Sequence, residues 1–396
     1  MKKLTISLAI FRDKLNVAYA KIHGIHLYDG NEFGSLFSPL EMLGMLLLGS
    51  KGDTDSQIRK TAFAGWKFND QNLDEPHLAL LHLIKKVTRP YKVGYGMLTI
   101  DNQLYIQQGF EVSQQYLLEA ARCYFPETFA INFTNPEAAR NTINNGVKEA
   151  TGEYIDDLLP KNSLSSLTKL VIVSAECFYG SWKYAFDPTL TQKRDFSILI
   201  NETKNTVQVD MMSQEGYFEF YKPDAAEVLR LNFSDKYLDM SMFIILPDTE
   251  FGLVESFKYF DYKQYENTKQ VVQANIFVPK FEIQAKYNFS ETLPVAGIKD
   301  LFDGDKANLS GISTVGQLFV NEMHQQAFIR IDEKGTDAAI AVGSVVNSRA
   351  GTKQFVCDHP FLYMIVENTF GNVLFEGSVA NPSIGMNDRK KKGSFY

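Results

Sequence analysis

Asp332–Pro360 reads DEKGTDAAIAVGSVVNSRAGTKQFVCDHP and sits where a short connection belongs. Before it runs Ala327–Ile331 (AFIRI) and from its end Pro360–Val366 (PFLYMIV), both strand-like in composition. The side chains between are small and mostly uncharged, with no proline before Pro360. A long connection of this kind inside a compact domain is either functional or disordered. Its first half is nevertheless a competent strand. Thr336, Ala338, Ile340 and Val342 alternate onto one face, and Asp337, Ala339, Ala341 and Gly343 onto the other, which is small or polar. A segment that can pair as a strand but occupies a loop position implies two states.

Arg349 is the only charged residue between Asp337 and Lys353. An isolated basic side chain on a small-residue loop suits the acidic primary pocket of a trypsin-like protease. A tolerated surface arginine is the alternative.

Working outward, 396 residues exceed the usual single core, so length alone favours two or three domains. Against this, the chain has no Pro, Gly or Ser-rich linker, no composition break and no internal repeat. With 45% apolar and 22% charged residues, 30 Phe and 19 Tyr, it can build a large core. The net charge of −7 argues against nucleic acid as the main partner. Cys123, Cys177 and Cys357 are too scattered for a disulfide framework and lack zinc-ligand spacing. Sequons at Asn132, Asn201, Asn232, Asn288 and Asn308 matter only if the chain enters the secretory route. The apolar run near the N-terminus is broken by Arg12, Asp13 and Lys14, so it reads as a first helix rather than a cleaved signal. A cytoplasmic or non-classically secreted protein is expected, with extracellular action as an alternative. No stretch of 18 apolar residues occurs, so no membrane span is expected.

Residues 3–23 read as a helix. Ser38 as cap, Pro39 at the first helical position and Glu41 form a capping box for a second helix, which is apolar all round and therefore buried. Helices are expected over 54–66, 75–89, 112–123 and 136–151, and a strand over 95–106. From about residue 168 strands dominate: 170–178, 206–212, 217–221, 227–232, 241–246, 271–281 and 318–331. The runs 361–366 and 373–379 make a hairpin around Gly371-Asn372. Helices first and strands later imply an α+β fold.

The usual enzyme signatures are missing: no HExxH, no GxSxG and no P-loop. His77 and His82 are five apart on a helix, share no face, and read as surface groups. Lys85, Lys86, Arg89 and Lys92 read as a solvated helix end that complements the dipole, with a glycosaminoglycan site as the alternative.

Glu333-Lys334-Gly335-Thr336 followed by Asp337-Ala338-Ala339-Ile340-Ala341 resembles the hinge of an inhibitory serpin. Phe361, Phe375-Glu376-Gly377-Ser378-Val379 and Asn381-Pro382 resemble that family's closing signature. Phe37-Ser38-Pro39, the run 144–159 (NNGVKEATGEYIDDLL), Phe178-Tyr179-Gly180-Ser181-Trp182, Val209-Asp210-Met211-Met212 and Val278-Pro279-Lys280-Phe281 are similar to serpin segments in family order. The resemblance covers roughly residues 10–384.

It implies a single serpin domain over 1–384, of about nine helices and three sheets, with a reactive-centre loop over about 333–359 and a basic tail over 385–396. It implies a monomer that traps serine proteases covalently, with no catalytic residues, metal, membrane or cofactor of its own. Family loop length puts the bait bond fourteen residues past the hinge glycine and eleven before the Pro-Phe, and both counts reach Arg349–Ala350. The hinge residues are Glu333, Gly335, Thr336, Ala338, Ala339 and Ala341. Lys280 and Glu333 stand where relatives form an ion pair, beside Trp182. At the position where the central sheet opens Ser38 matches the family, but Glu41 replaces a Ser, Ser174 an Asn and Gln325 a His, with His324 one residue early. Glu41 is either a cap or, with Ser174 and Gln325, part of a replacement network. The alternatives to a trypsin-directed inhibitor are a non-inhibitory carrier, chaperone or storage serpin, and a cross-class inhibitor of cysteine proteases.

Overall fold

The computed structural model describes residues 1–23, 30–67, 74–87, 98–200, 203–234, 239–250, 261–334 and 352–384. Eight α-helices are present among the described residues: α1 (Lys2–His23), α2 (Phe37–Gly49), α3 (Gly52–Ala62), α4 (Glu75–Val87), α5 (Gln114–Tyr124), α6 (Pro136–Ala150), α7 (Tyr262–Thr268) and α8 (Phe289–Ala296). The strands are β1 (Glu32–Ser35), β2 (Leu98–Gln107), β3 (Glu127–Ile131), β4 (Leu170–Tyr179), β5 (Gln192–Ile200), β6 (Thr203–Tyr221), β7 (Ala226–Asn232), β8 (Met240–Pro247), β9 (Gln270–Pro279), β10 (Phe281–Asn288), β11 (Glu322–Ile331), β12 (Lys353–Val356), β13 (Phe361–Glu367) and β14 (Asn372–Val379). The fold is mixed helix and sheet, helix-rich at the start and strand-rich later. No described helix is long and apolar enough to cross a membrane.

The chain divides into two compact units. The first comprises Met1–Ile25, Ser35–Cys177 and Lys286–Ala327 and holds most of the helices. In α1, Leu4, Leu8, Phe11, Leu15 and Ala18 are buried at alternating steps of four and three, the stripe an amphipathic helix presents to a core. In α2 every residue but Leu48 is buried, as its all-round apolar sequence requires. A five-stranded sheet runs in the order β10-β11-β4-β2-β3, so β11 has β10 on one side and β4 on the other.

The second unit comprises His26–Gly34, Phe178–Ala285 and Phe328–Tyr396. Its sheet runs β1-β14-β13-β8-β7-β6-β9-β12, with β5 also on β6. Val228, Phe243, Ile245, Leu362, Met364 and Val366 pack into one cluster, and their period-two spacing marks the shared inner face. Gly377 lies where a side chain would collide with the Glu32 carbonyl, which explains the small residue in the closing signature.

Several expectations are corrected. The turn expected between 212 and 217 is absent, because Met212–Tyr217 pair with Gln273–Val278 and the ladder carries the strand straight through a turn-like sequence. β6 is therefore one strand of 19 residues. Its start pairs with β5 and its end with β9 and β7, which fuses two of the three implied sheets into one hydrogen-bonded sheet. The strand expected from 318 begins at Glu322, since Val320 N–H bonds to Leu301 O instead of to a strand. β5 escapes the pattern reading because QKRD is polar; its pairing with β6 makes it a strand.

Candidate functional site

The carbonyls of Asp332, Glu333 and Lys334, just past β11, are all taken. Trp182 Nε1–H donates to Asp332 O at 2.8 Å and Trp182 N–H to Lys334 O at 3.0 Å. Phe186 N–H donates to Glu333 O at 3.1 Å. The Trp182 ring stacks on Phe233 at 4.8 Å and meets Phe186 edge-on at 6.0 Å. Gly180 allows this, because a Cβ there would overlap the Phe233 ring.

Lys280 Nζ lies 2.7 Å from Glu333 Oε2, and Thr191 Oγ1 donates to Glu333 Oε1 at 2.8 Å. Burial raises the Glu333 pKa, but the hydrogen bonds from Lys280 and Thr191 outweigh it and hold the carboxyl below its ordinary value. The structure thus brings Glu333, Lys280 and Trp182 together, and adds Thr191, Phe186 and Phe233, which sequence reading missed. Gly335, Thr336, Ala338, Ala339, Ala341, Arg349 and Ala350 lie outside the described residues. The chain resumes on a second anchor: β12 pairs parallel with β9, Lys353 opposite Ala274, and Cys357 N–H bonds to Phe277 O. Lys353 pairs with Glu227 at 2.5 Å and lies over the Phe220 ring. The described residues on either side of 335–351 are both held within the sheet-rich unit.

Ser38, Glu41, Ser174 and Gln325 are all buried in the other unit. The capping box is not formed. α2 starts at Phe37, and Ser35 Oγ accepts from the N–H groups of Phe37 and Ser38. Ser38 lies inside the helix and its hydroxyl has no hydrogen-bond partner among the described residues. Glu41 accepts from Asn102 Nδ2 at 2.7 Å. Gln325 Nε2 donates to Glu176 Oε1 at 3.3 Å and to Ser35 O at 3.4 Å. The replacement network therefore runs through Asn102 and Glu176, not directly between Glu41, Ser174 and Gln325. His324 takes no part, since period two turns it to the other face of β11, where it meets Glu322 at 2.6 Å. Glu176 was legible as the lone charge in the apolar run LVIVSAECFY.

His77 is not a surface group. It is buried, and Nδ1 lies 2.5 Å from Tyr124 Oη. Burial first, then Arg59 and Arg122, lower its pKa to about 4. Lys85 and Lys86 sit in the last turn of α4, the end that favours cations, while Arg89 and Lys92 lie outside the described residues. The three cysteines are free and buried.

This arrangement defines a class: a mixed helix-and-sheet protein in which the chain before residue 335 and the chain after residue 351 are both tied into the sheet-rich unit. The serpin (serine protease inhibitor) family profile matches residues 19–382, and the chain belongs to that family. Leukocyte elastase inhibitor from Bos taurus is 32% identical over 365 residues, 89% of this chain and 93% of that protein. The structure of uncleaved ovalbumin matches with a TM-score of 0.83 at 26% identity, covering 96% of this chain and 100% of that one. Thyroxine-binding globulin in complex with thyroxine matches with a TM-score of 0.81 at 28% identity, covering 96% and 100%. Membership places the chain in a family described as protease inhibitors, not as enzymes.

Proposed function

We propose that the chain is a suicide-substrate inhibitor of trypsin-like serine endopeptidases, cleaved at Arg349–Ala350. The observation that carries this reading is the composition between the two anchors: mostly small, uncharged side chains, with Arg349 the one basic residue. The guanidinium enters an acidic primary pocket. The protease serine attacks the Arg349 carbonyl, the amine of Ala350 leaves with a proton from the catalytic histidine, and an acyl-enzyme forms. The freed N-terminal half, with Gly335, Thr336, Ala338, Ala339 and Ala341 as its small hinge residues, then pairs as a strand. Because it follows β11 directly, a segment folding back on β11 takes a place beside it, and β4 and β10 are the neighbours it displaces or passes. The β4 side carries the unsatisfied polar groups Glu176 and Gln325, so it parts at lower cost. A central strand of about twelve residues gains ladder bonds at about 0.5–1.5 kcal/mol each plus apolar burial, on the order of 10–20 kcal/mol gross. That suffices to drag the protease and distort its site before the acyl bond is hydrolysed.

Trypsin added to the protein should give an SDS-resistant complex. Arg349→Glu abolishes it, and Thr336→Arg turns the inhibitor into a substrate by blocking the first inserting residue. Cleavage of the unaltered chain with no complex defeats the reading. The likeness to thyroxine-binding globulin favours a second reading, a carrier whose loop stays out. In that case heat stability is the same before and after loop cleavage; insertion raises it sharply.

A further inference from the structure

Two carboxyl groups are buried in the helix-rich unit with no ion-pair partner among the described residues: Glu41 of α2 and Glu176 of β4, 2% and 0% exposed. The groups that face them come from five further sources, and all are neutral or acidic. β2 presents Asn102, which donates to Glu41. α5 presents Tyr124, whose phenol burial pushes up first, with Cys123 and Glu41 adding to it. Tyr124 is in turn bonded to His77 of α4, whose low pKa keeps it neutral. β11 presents Gln325, and the end of β1 presents Ser35; both turn polar atoms toward Glu176. The two carboxyls also feel each other's charge. Ser38 Oγ, Asn102 Oδ1, Glu176 Oε2 and Gln325 Oε1 are buried without hydrogen-bond partners among the described residues.

An ionised carboxylate in such a place is shut off from bulk solvent and has no cation beside it among the described residues, so each group keeps its proton. Parting β4 from β11 admits water to Glu176 and its neighbours, satisfies the orphaned atoms and makes the ionised form cheap. Closed strands therefore hold protons that open strands release.

We propose that Glu41 and Glu176 form a proton lock on the β4–β11 seam: protonated, they hold it shut, and their ionisation favours its opening. The use made of that opening, strand insertion, rests on the inhibitor reading above; the lock itself does not. Burial pushes Glu41 to about 8, against the Asn102 bond, and pushes Glu176 well above the carboxylate range, with the Glu41 charge adding to it. Both values are raised in the closed state. The stabilisation is therefore complete below the ordinary carboxyl value of 4.5 and is lost as pH rises through about 8.

The test is hydrogen exchange of the full chain at pH 6 and pH 8.5, read on peptides covering β4 and β11 and corrected for the chemical exchange rate. Opening in the unaltered chain should rise about tenfold or more between the two pH values. In the E41Q/E176Q double variant, where each amide keeps the shape of the protonated acid, it should change less than about twofold. A pH response that survives in the double variant, or none in the unaltered chain, overturns the lock. Infrared difference spectra of the unaltered chain give a check that needs no variant: protonated-acid carbonyl bands present at pH 6 and fading through pH 8.5 support it, and their absence at pH 6 overturns it. The two readings fail separately. An SDS-resistant trypsin complex with pH-insensitive exchange removes the lock alone, and pH-sensitive exchange without a complex removes the inhibitor alone.

Discussion

Glu333 and Glu41 are both carboxyls withdrawn from water, and they answer burial in opposite ways. Glu333 has a cation at 2.7 Å and a hydroxyl at 2.8 Å, so its charged form is favoured and its pKa falls. Glu41 has one neutral amide at 2.7 Å, and its pKa rises to about 8. Burial opposes the charge in both cases, more strongly at Glu41, and only Glu333 has partners that outweigh it. The consequence is two clusters with opposite pH dependence. The Glu333 pair stabilises above the ordinary carboxyl pKa and is lost as acid lowers the pH through the depressed value. The Glu41 cluster is strongest in acid and weakens as pH rises through about 8.

The contrast can be broken most sharply at Trp182, 2% exposed, which holds the Asp332 and Lys334 carbonyls on either side of Glu333. Trp182→Ala removes the stack on Phe233 and the bond to Asp332 O, and should cost about 3–5 kcal/mol in urea-induced unfolding. A loss under about 1 kcal/mol means the anchor does not depend on this ring. Next in size, Lys280→Met leaves Glu333 buried without its cation. The cost at neutral pH should be about 2–3 kcal/mol, below that of a fully buried pair because the lysine side chain is 21% exposed. It should shrink toward acid as Glu333 takes a proton; a pH-independent cost would show that Glu333 was never held as a carboxylate. Glu41→Gln should behave in the mirror sense. At pH 5 it should change stability little, and at pH 9 it should raise it by at least about 1 kcal/mol, because the variant has no charge to bury. Destabilisation at pH 9 contradicts a neutral Glu41. Smallest, Thr191→Val should remove one hydrogen bond to Glu333, about 0.5–1.5 kcal/mol, with a matching upward drift of the Glu333 titration followed by NMR.

Much of the fold was legible. The apolar stripe of α1, the all-apolar α2 and the near-continuous apolar runs of β8 and β13 declare their burial by residue type and spacing alone. β5 and the middle of β6 were not legible, because polar residues become strands there only through a partner distant in sequence. Glu333, Lys280 and Trp182 could be named because motif order brings them forward, yet Thr191 carries no local signal: one threonine among many meets Glu333 only in three dimensions. Glu41 shows the reverse error. Ser38 and Glu41 have capping-box spacing, but the chain starts α2 two residues earlier, at Phe37, and Ser35 Oγ takes the first N–H groups, which leaves Glu41 free to turn inward.

The amino-acid sequence by itself determined the family, the loop's strand-like alternation and the single basic residue at 349, because these depend on residue type and spacing along one chain. Tertiary structure alone decided which carboxyl is paired and which is stranded. Glu333 and Glu41 are the same residue type, and only the groups folded against each one set whether its proton stays or leaves.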